Sequence, residues 1–229
     1  MLNAAESSAL AISLKVALLS LVVALPFALA LGLALSRLRF PGKSLLEALL
    51  NLPLVLPPVV TGYALLLIFG RHGVIGAWLA PLGITFAFHW SGAVVAAVIM
   101  SFPLLVLSIR AGFDGVDRRL EAAAESLGAG PWRRFVTITL PLSLRSVLAG
   151  CVLAFARAFG EFGATISFVG SIPGETRTLS IAIWELLNQP GGEAGLGRLV
   201  WVALIVGVAA SLFAAGLARR GAEAKAPHD

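Results

Sequence analysis

The sequence predicts an all-α polytopic membrane protein of about five transmembrane helices, six if one short apolar piece near the C-terminus also crosses. Three observations predict it. Of the 229 residues 59% are hydrophobic and only 13% charged, with mean hydropathy +0.94; a soluble domain carries about twice that charge. Apolar stretches of about 20 residues, the length that spans a bilayer, recur along the chain. The basic residues collect in three segments between or after these stretches. Arg37, Arg39 and Lys43 lie in the first; Arg110, Arg118, Arg119, Arg133, Arg134 and Arg145 in the second; Arg219, Arg220 and Lys225 in the third, together twelve of 17 Lys and Arg. Arg157 falls inside a span, and only Lys15, Arg71, Arg177 and Arg198 fall on the other side. Lys and Arg concentrate in cytoplasmic loops, so five crossings with the N-terminus outside and the C-terminus cytoplasmic fit this distribution, and the inverted orientation does not.

Residues 9–36 are the first span, holding one charge, Lys15, and a proline, Pro26, that is expected to kink it. The run is too long for a signal peptide and lacks a basic start. Gly42-Lys43-Ser44 resembles the tail of a phosphate-binding loop, but Arg37 stands where the first glycine is required and no strand precedes it, so no ATP site is read there. Residues 44–69 are the second span. Its middle, Asn51-Leu-Pro-Leu-Val-Leu-Pro-Pro58, breaks helical hydrogen bonding, which a membrane tolerates where the break is buried in protein or lines a cavity. Pro57, Pro58 and Thr61 are therefore candidates for a hinge on a translocation path, against the plainer reading of a kinked structural helix.

Residues 71–90 are external or interfacial, with Trp78, His89 and Trp90 as belt anchors. No His or Cys stands at metal-ligand spacing from His72 or His89. Residues 91–109 are the third span and residues 143–169 the fourth. The fourth carries the strong intramembrane charges Arg157 and Glu161, four residues apart and able to pair on one helix face. At 1.5 Å per residue Arg157 lies roughly 20 Å along this span, near mid-membrane, where ionisable groups face a bundle interior or an aqueous path. Arg157, Glu161 and the nearby Thr165 are candidate path or gate residues; the alternative is a self-neutralised pair that locks helices. Gly160 and Gly163 are expected to let helices approach closely. Residues 179–187 are too short to span and read as a re-entrant or surface helix. Residues 199–217 are the last span, followed by a short polar tail expected to be disordered. The single Cys151 excludes an internal disulfide, and the net charge of +5, confined to membrane-flanking loops, does not indicate nucleic-acid binding.

A charged island at residues 114–141 interrupts the apolar pattern. Asp114 or Asp117 can cap a helix, the alanines from Ala122 to Ala124 favour one, and Gly128 can stop it in a left-handed turn. Pro131 suits the first turn of a second helix, and Pro141 is expected to end that piece. Trp132, Phe135, Ile138 and Leu140 form an apolar set suited to an interface.

This island resembles the coupling motif of importer-type ABC transporter permeases: Glu-Ala-Ala, three residues, Gly, nine residues, Ile, any residue, Leu-Pro. Ala123, Ala124, Gly128, Ile138, Leu140 and Pro141 stand at the family's spacing. The first motif position is Ala122, with the glutamate one step earlier at Glu121, a rotation of about 100° on a helix. Elsewhere, Arg157, the run Gly160-Glu161-Phe162-Gly163-Ala164-Thr165, the run Pro173 to Thr178, and residues 52–76 with Pro57, Pro58, Gly62, Gly70, Arg71, Gly73 and Gly76 are similar to molybdate-type ABC permeases.

The resemblance implies one permease domain over residues 1–229, like those of type I ABC importers, in a bacterial inner membrane. Glu121, Ala122, Ala123, Ala124, Gly128, Ala129 and Gly130 would couple it to the ATPase. The implied partners are a second copy, two cytoplasmic ATP-binding subunits, an extracytoplasmic molybdate-binding protein and membrane lipid. The chain would have no cofactor, metal or nucleic-acid partner and would not itself be an enzyme. The substrate would be molybdate or its mimic tungstate. Sulfate and thiosulfate permeases share much of the Gly-Glu-Phe-Gly-Ala-Thr region, and an ion-coupled secondary transporter using Arg157 and Glu161 is the alternative from another class.

Overall fold

The computed structural model describes residues 2–223. In chain order the helices are α1 (Ala4–Arg37), α2 (Lys43–Val55), α3 (Pro58–Phe69), α4 (Gly76–Leu79), α5 (Trp90–Asp114), α6 (Arg118–Ser126), α7 (Pro131–Arg134), α8 (Leu140–Phe159), α9 (Gly163–Val169), α10 (Leu179–Leu187) and α11 (Glu193–Glu223). Four helical runs are long and apolar enough to cross a membrane, and the pair α2–α3 makes a fifth if counted as one span. The five-span expectation fits this pattern. The tail beyond residue 223, with Lys225, lies outside the described residues.

The bundle is built around α5, which packs between α1 and α8. Small residues set these contacts, as in membrane bundles where dispersion rather than water exclusion drives helix association. The buried stripe of α1 includes Ala9, Ser13, Ala17, Ser20, Ala24, Ala28 and Gly32. A Cβ on Gly32 would sit 2.8 Å from Ile109 of α5, and one on Gly112 of α5 would sit 2.6 Å from Ser146 of α8. At its start α1 is closed by a reciprocal cap: Asn3 accepts from the Glu6 N–H at 2.8 Å while the Asn3 N–H donates to Glu6 at 2.9 Å. The Glu6 carboxylate also accepts from Arg198 at 2.6 Å, joining α1 to α11 across the chain.

Two expectations need correction, while the break expected within residues 44–69 is present as two helices bent by 111°. Leu56 and Pro57 are extended, with ψ 143° and 132°, because each precedes a proline whose ring disfavours helical backbone. Residues 143–169 also break, at Gly160 to Phe162 between α8 and α9. Pro141, finally, does not end the island's second helix: the chain runs helically from Pro131 to Phe159. A π-helical turn, Phe135–Thr139, precedes Pro141. Its wider hydrogen bonding, with the Leu140 N–H reaching Phe135, absorbs the donor that proline lacks. Pro26 lies within the continuous α1. The nine residues of α10 are too short to cross and pack against α1 and α11, with the Leu179 N–H donating to the Ser13 hydroxyl at 2.7 Å.

Candidate functional site

The predicted helix–turn–helix of the island is present. Asp117, not Asp114, caps α6, accepting from the Arg119 N–H at 2.9 Å. Asp114 ends α5 and accepts from Ser36 at 2.5 Å. Gly128 has φ +83°. Its N–H bonds Glu125 while that of Ala129 bonds Ala124, each at 2.9 Å. This double bond pattern closes a helix through a left-handed residue, which glycine adopts without a Cβ clash. Ala122, Ala123, Gly128 and Gly130 are exposed, Ala124 and Ala129 half-buried. Beside the turn, Leu127 is 87% and Trp132 75% exposed, with the Trp132 ring 5.8 Å from that of Phe135.

Glu121 points the other way. Its carboxylate accepts from Arg37 at 2.8 Å and Thr139 at 2.6 Å, so it ties α6 to the end of α1 and to the π turn before α8. Arg37 also donates to the Phe113 carbonyl at 2.9 Å, and Arg118 donates to the Ser36 carbonyl at 3.1 Å. Arg37 and Thr139 were not expected from sequence as site residues. Arg37 reads there only as a topology marker, since its partner lies 84 positions away. Glu125, also near the motif position, pairs with Arg134 on the exposed side.

Burial alone would raise the Glu121 carboxyl, but the hydrogen bonds from Arg37 and Thr139 and the charges of Arg37 and Arg118 outweigh it and hold it below its ordinary value of 4.5. A depressed carboxylate stabilises the folded contact above its unfolded value and loses that contribution as pH falls through the lowered one. Hydrogen exchange of residues 118–126 should therefore be constant from neutral pH down to about pH 5, after correction for intrinsic rates, and rise below it. Glu121→Gln should raise it near neutral pH, by the roughly 1.5–3 kcal/mol of a charge-assisted hydrogen bond, and the difference from wild type should shrink as pH falls and Glu121 itself protonates.

The second group of candidates gathers where two broken helices meet. Pro57 and Pro58 form the α2–α3 bend, and α3 packs along α9. A Cβ on Gly62 would be 2.5 Å from the Ala164 carbonyl, and one on Gly163 would be 2.7 Å from Pro58. Thr61 and Thr165 are buried at this contact, and the Thr61 hydroxyl has no partner, nor has Asn51 Oδ1 on the α2 side of the bend. Arg157 ends α8 and pairs with Glu161, which sits in the break rather than on a continuous helix face. Glu161 also accepts from the Ala164 N–H at 2.9 Å, capping α9. Its side chain is 2% exposed, that of Arg157 30%. Gly163 gives the expected close approach; Gly160 instead ends α8, meeting only its own helix. Among the described residues no three His, Cys, Asp or Glu side chains converge as metal ligands would.

Residues 24–220 match the model of the family described as binding-protein-dependent transport system inner membrane component. The chain is 54% identical over 215 residues to the molybdenum transport system permease protein ModB of Escherichia coli K12, covering 93% of this chain and 94% of that one. It is 48% identical over 216 residues to the ModB of Haemophilus influenzae, covering 94% of each. A solved bacterial ABC transporter involved in importing the acidic polysaccharide alginate superposes with TM-score 0.75 at 17% identity, covering 95% of this chain and 80% of that one, a likeness of fold. With a family match across most of its length and relatives this similar, the chain belongs to the binding-protein-dependent transport system inner membrane components.

Proposed function

We propose that the chain is the permease of an ATP-driven importer for molybdate, or tungstate as its mimic. The observation that carries this reading is the 54% identity to a molybdenum transport permease over almost the whole of both chains. The chain lines the path and does no covalent chemistry; ATP is hydrolysed by two cytoplasmic subunits that dock on the turn at Gly128. The exposed Leu127 and Trp132 supply apolar anchors for that docking. Movement there passes through Glu121 and Arg37 into α1 and through the π turn into α8, as a shift between inward and outward access. A second copy packs on the exposed stripe Val59, Tyr63 and Leu67 of α3, enclosing the bend, Thr61 and the Arg157–Glu161 pair. The N-terminus lies outside with the binding protein, the C-terminus inside.

Proteoliposomes carrying the chain with its ATPase and binding protein test this. Labelled molybdate should enter only with ATP on the ATPase side, and excess tungstate, not sulfate, should block it. Block by sulfate would reassign the substrate; uptake that follows an ion gradient and ignores ATP would overturn the importer reading.

A further inference from the structure

Lys15 is the one charge in the middle part of α1, and it is exposed. Its ammonium lies 3.5 Å from the ring centroid of Trp90, the first residue of α5. Among the described residues no carboxylate pairs with it. A lysine at the membrane surface attracts anionic headgroups, and the indole face occupies only one side of its ammonium. The ammonium has three donors to place, and the ring takes at most one.

Below this pair an apolar groove of about 410 Å³ runs between α1 and α5, lined by Leu19 and Val23 on one side and Val94, Val95, Val98 and Ile99 on the other. From Lys15 to Val23, and from Trp90 to Ile99, the groove descends about 12–14 Å at 1.5 Å per residue. Half of a hydrocarbon core of about 30 Å is about 15 Å, so the groove is one leaflet deep. Trp90 starts its helix, where a tryptophan marks the interface, so Lys15 stands at headgroup level and the groove at acyl-chain level.

We infer that this groove binds one anionic glycerophospholipid of the leaflet on the N-terminal side of α1. An acyl chain fills the groove, and the phosphate takes the free donors of Lys15 beside Trp90. The charge selects the headgroup; the groove alone would accept any lipid.

The test uses tryptophan quenching by brominated lipids in vesicles holding the full chain, with Trp90→Phe supplying the background from the other tryptophans. Brominated phosphatidylglycerol should quench Trp90 with an about fivefold preference over brominated phosphatidylcholine, the scale of one basic side chain at an anionic lipid surface. Lys15→Gln should abolish the preference and Lys15→Arg retain it, the latter controlling for folding. Equal quenching by the two lipids would overturn the inference in favour of unselective lipid contact. Absence of quenching by either would overturn it in favour of a second copy covering the groove.

Discussion

Gly62→Ala should lower thermal stability by about 1–3 kcal/mol and remove most ATP-driven uptake, whereas Gly207→Ala should do neither. The added methyl at Gly62 would lie 2.5 Å from the Ala164 carbonyl and 2.8 Å from both the Ala164 Cα and the Ser167 Cβ. Two of those three atoms are backbone of α9, so no rotamer change relieves the clash, and α3 must move away. That movement separates the bend at Pro57 and Pro58 from the break at Glu161, and it opens the buried Thr61 and Thr165. A Cβ at Gly207 meets nothing, and there alanine is the better helix former. Scanning fluorimetry in detergent and uptake in proteoliposomes read the two effects separately. Wild-type stability and uptake in Gly62→Ala would mean that the α3–α9 contact is loose and that the bend does not depend on it.

That contact also shows what one sequence makes legible. The number of spans, a cap at Asp114 or Asp117 and the stop at Gly128 follow from composition and short-range rules, and the structure has four or five candidate spans, the cap at Asp117 and the stop. The prolines at 53, 57 and 58 announced a break but not its angle of 111°, which depends on what α3 packs against. Pro141 misled, because the usual rule ends a helix before proline and the π turn that accommodates it has no clear sequence signature. The glutamate one step off the coupling motif was recognisable as a departure. Its consequence was not, because its direction is set by Arg37 and Thr139, 84 and 18 positions away. Glu161 was expected on one helix face with Arg157 and instead stands past the helix end, where it holds both that arginine and the first turn of α9. In each of these cases local chemistry fixed the element and a distant partner fixed its use.

The Arg157–Glu161 pair yields the second large effect, and a double replacement separates its two readings. Glu161 is almost wholly buried, while Arg157 keeps 30% of its side chain accessible. Arg157→Ala leaves a buried carboxylate with only the Ala164 N–H, a loss of about 3–5 kcal/mol. Glu161→Ala leaves the less buried member of the pair without its counter-charge, so its cost is smaller, mainly the lost cap on α9. Both single variants should transport poorly, and neither says whether Arg157 meets the anion or merely neutralises Glu161. Arg157→Met with Glu161→Gln removes both charges at similar volume, and the glutamine carbonyl can still accept from Ala164. A well-packed neutral replacement of a buried pair is often no less stable than the pair, so stability should return to near wild type. If Arg157 faces the path, as we propose, uptake should stay at least about tenfold down, since the mobile dianion has lost a charge-assisted donor worth about 1.5–3 kcal/mol. Recovery of uptake together with stability would make the pair a helix lock and move the anion's path elsewhere.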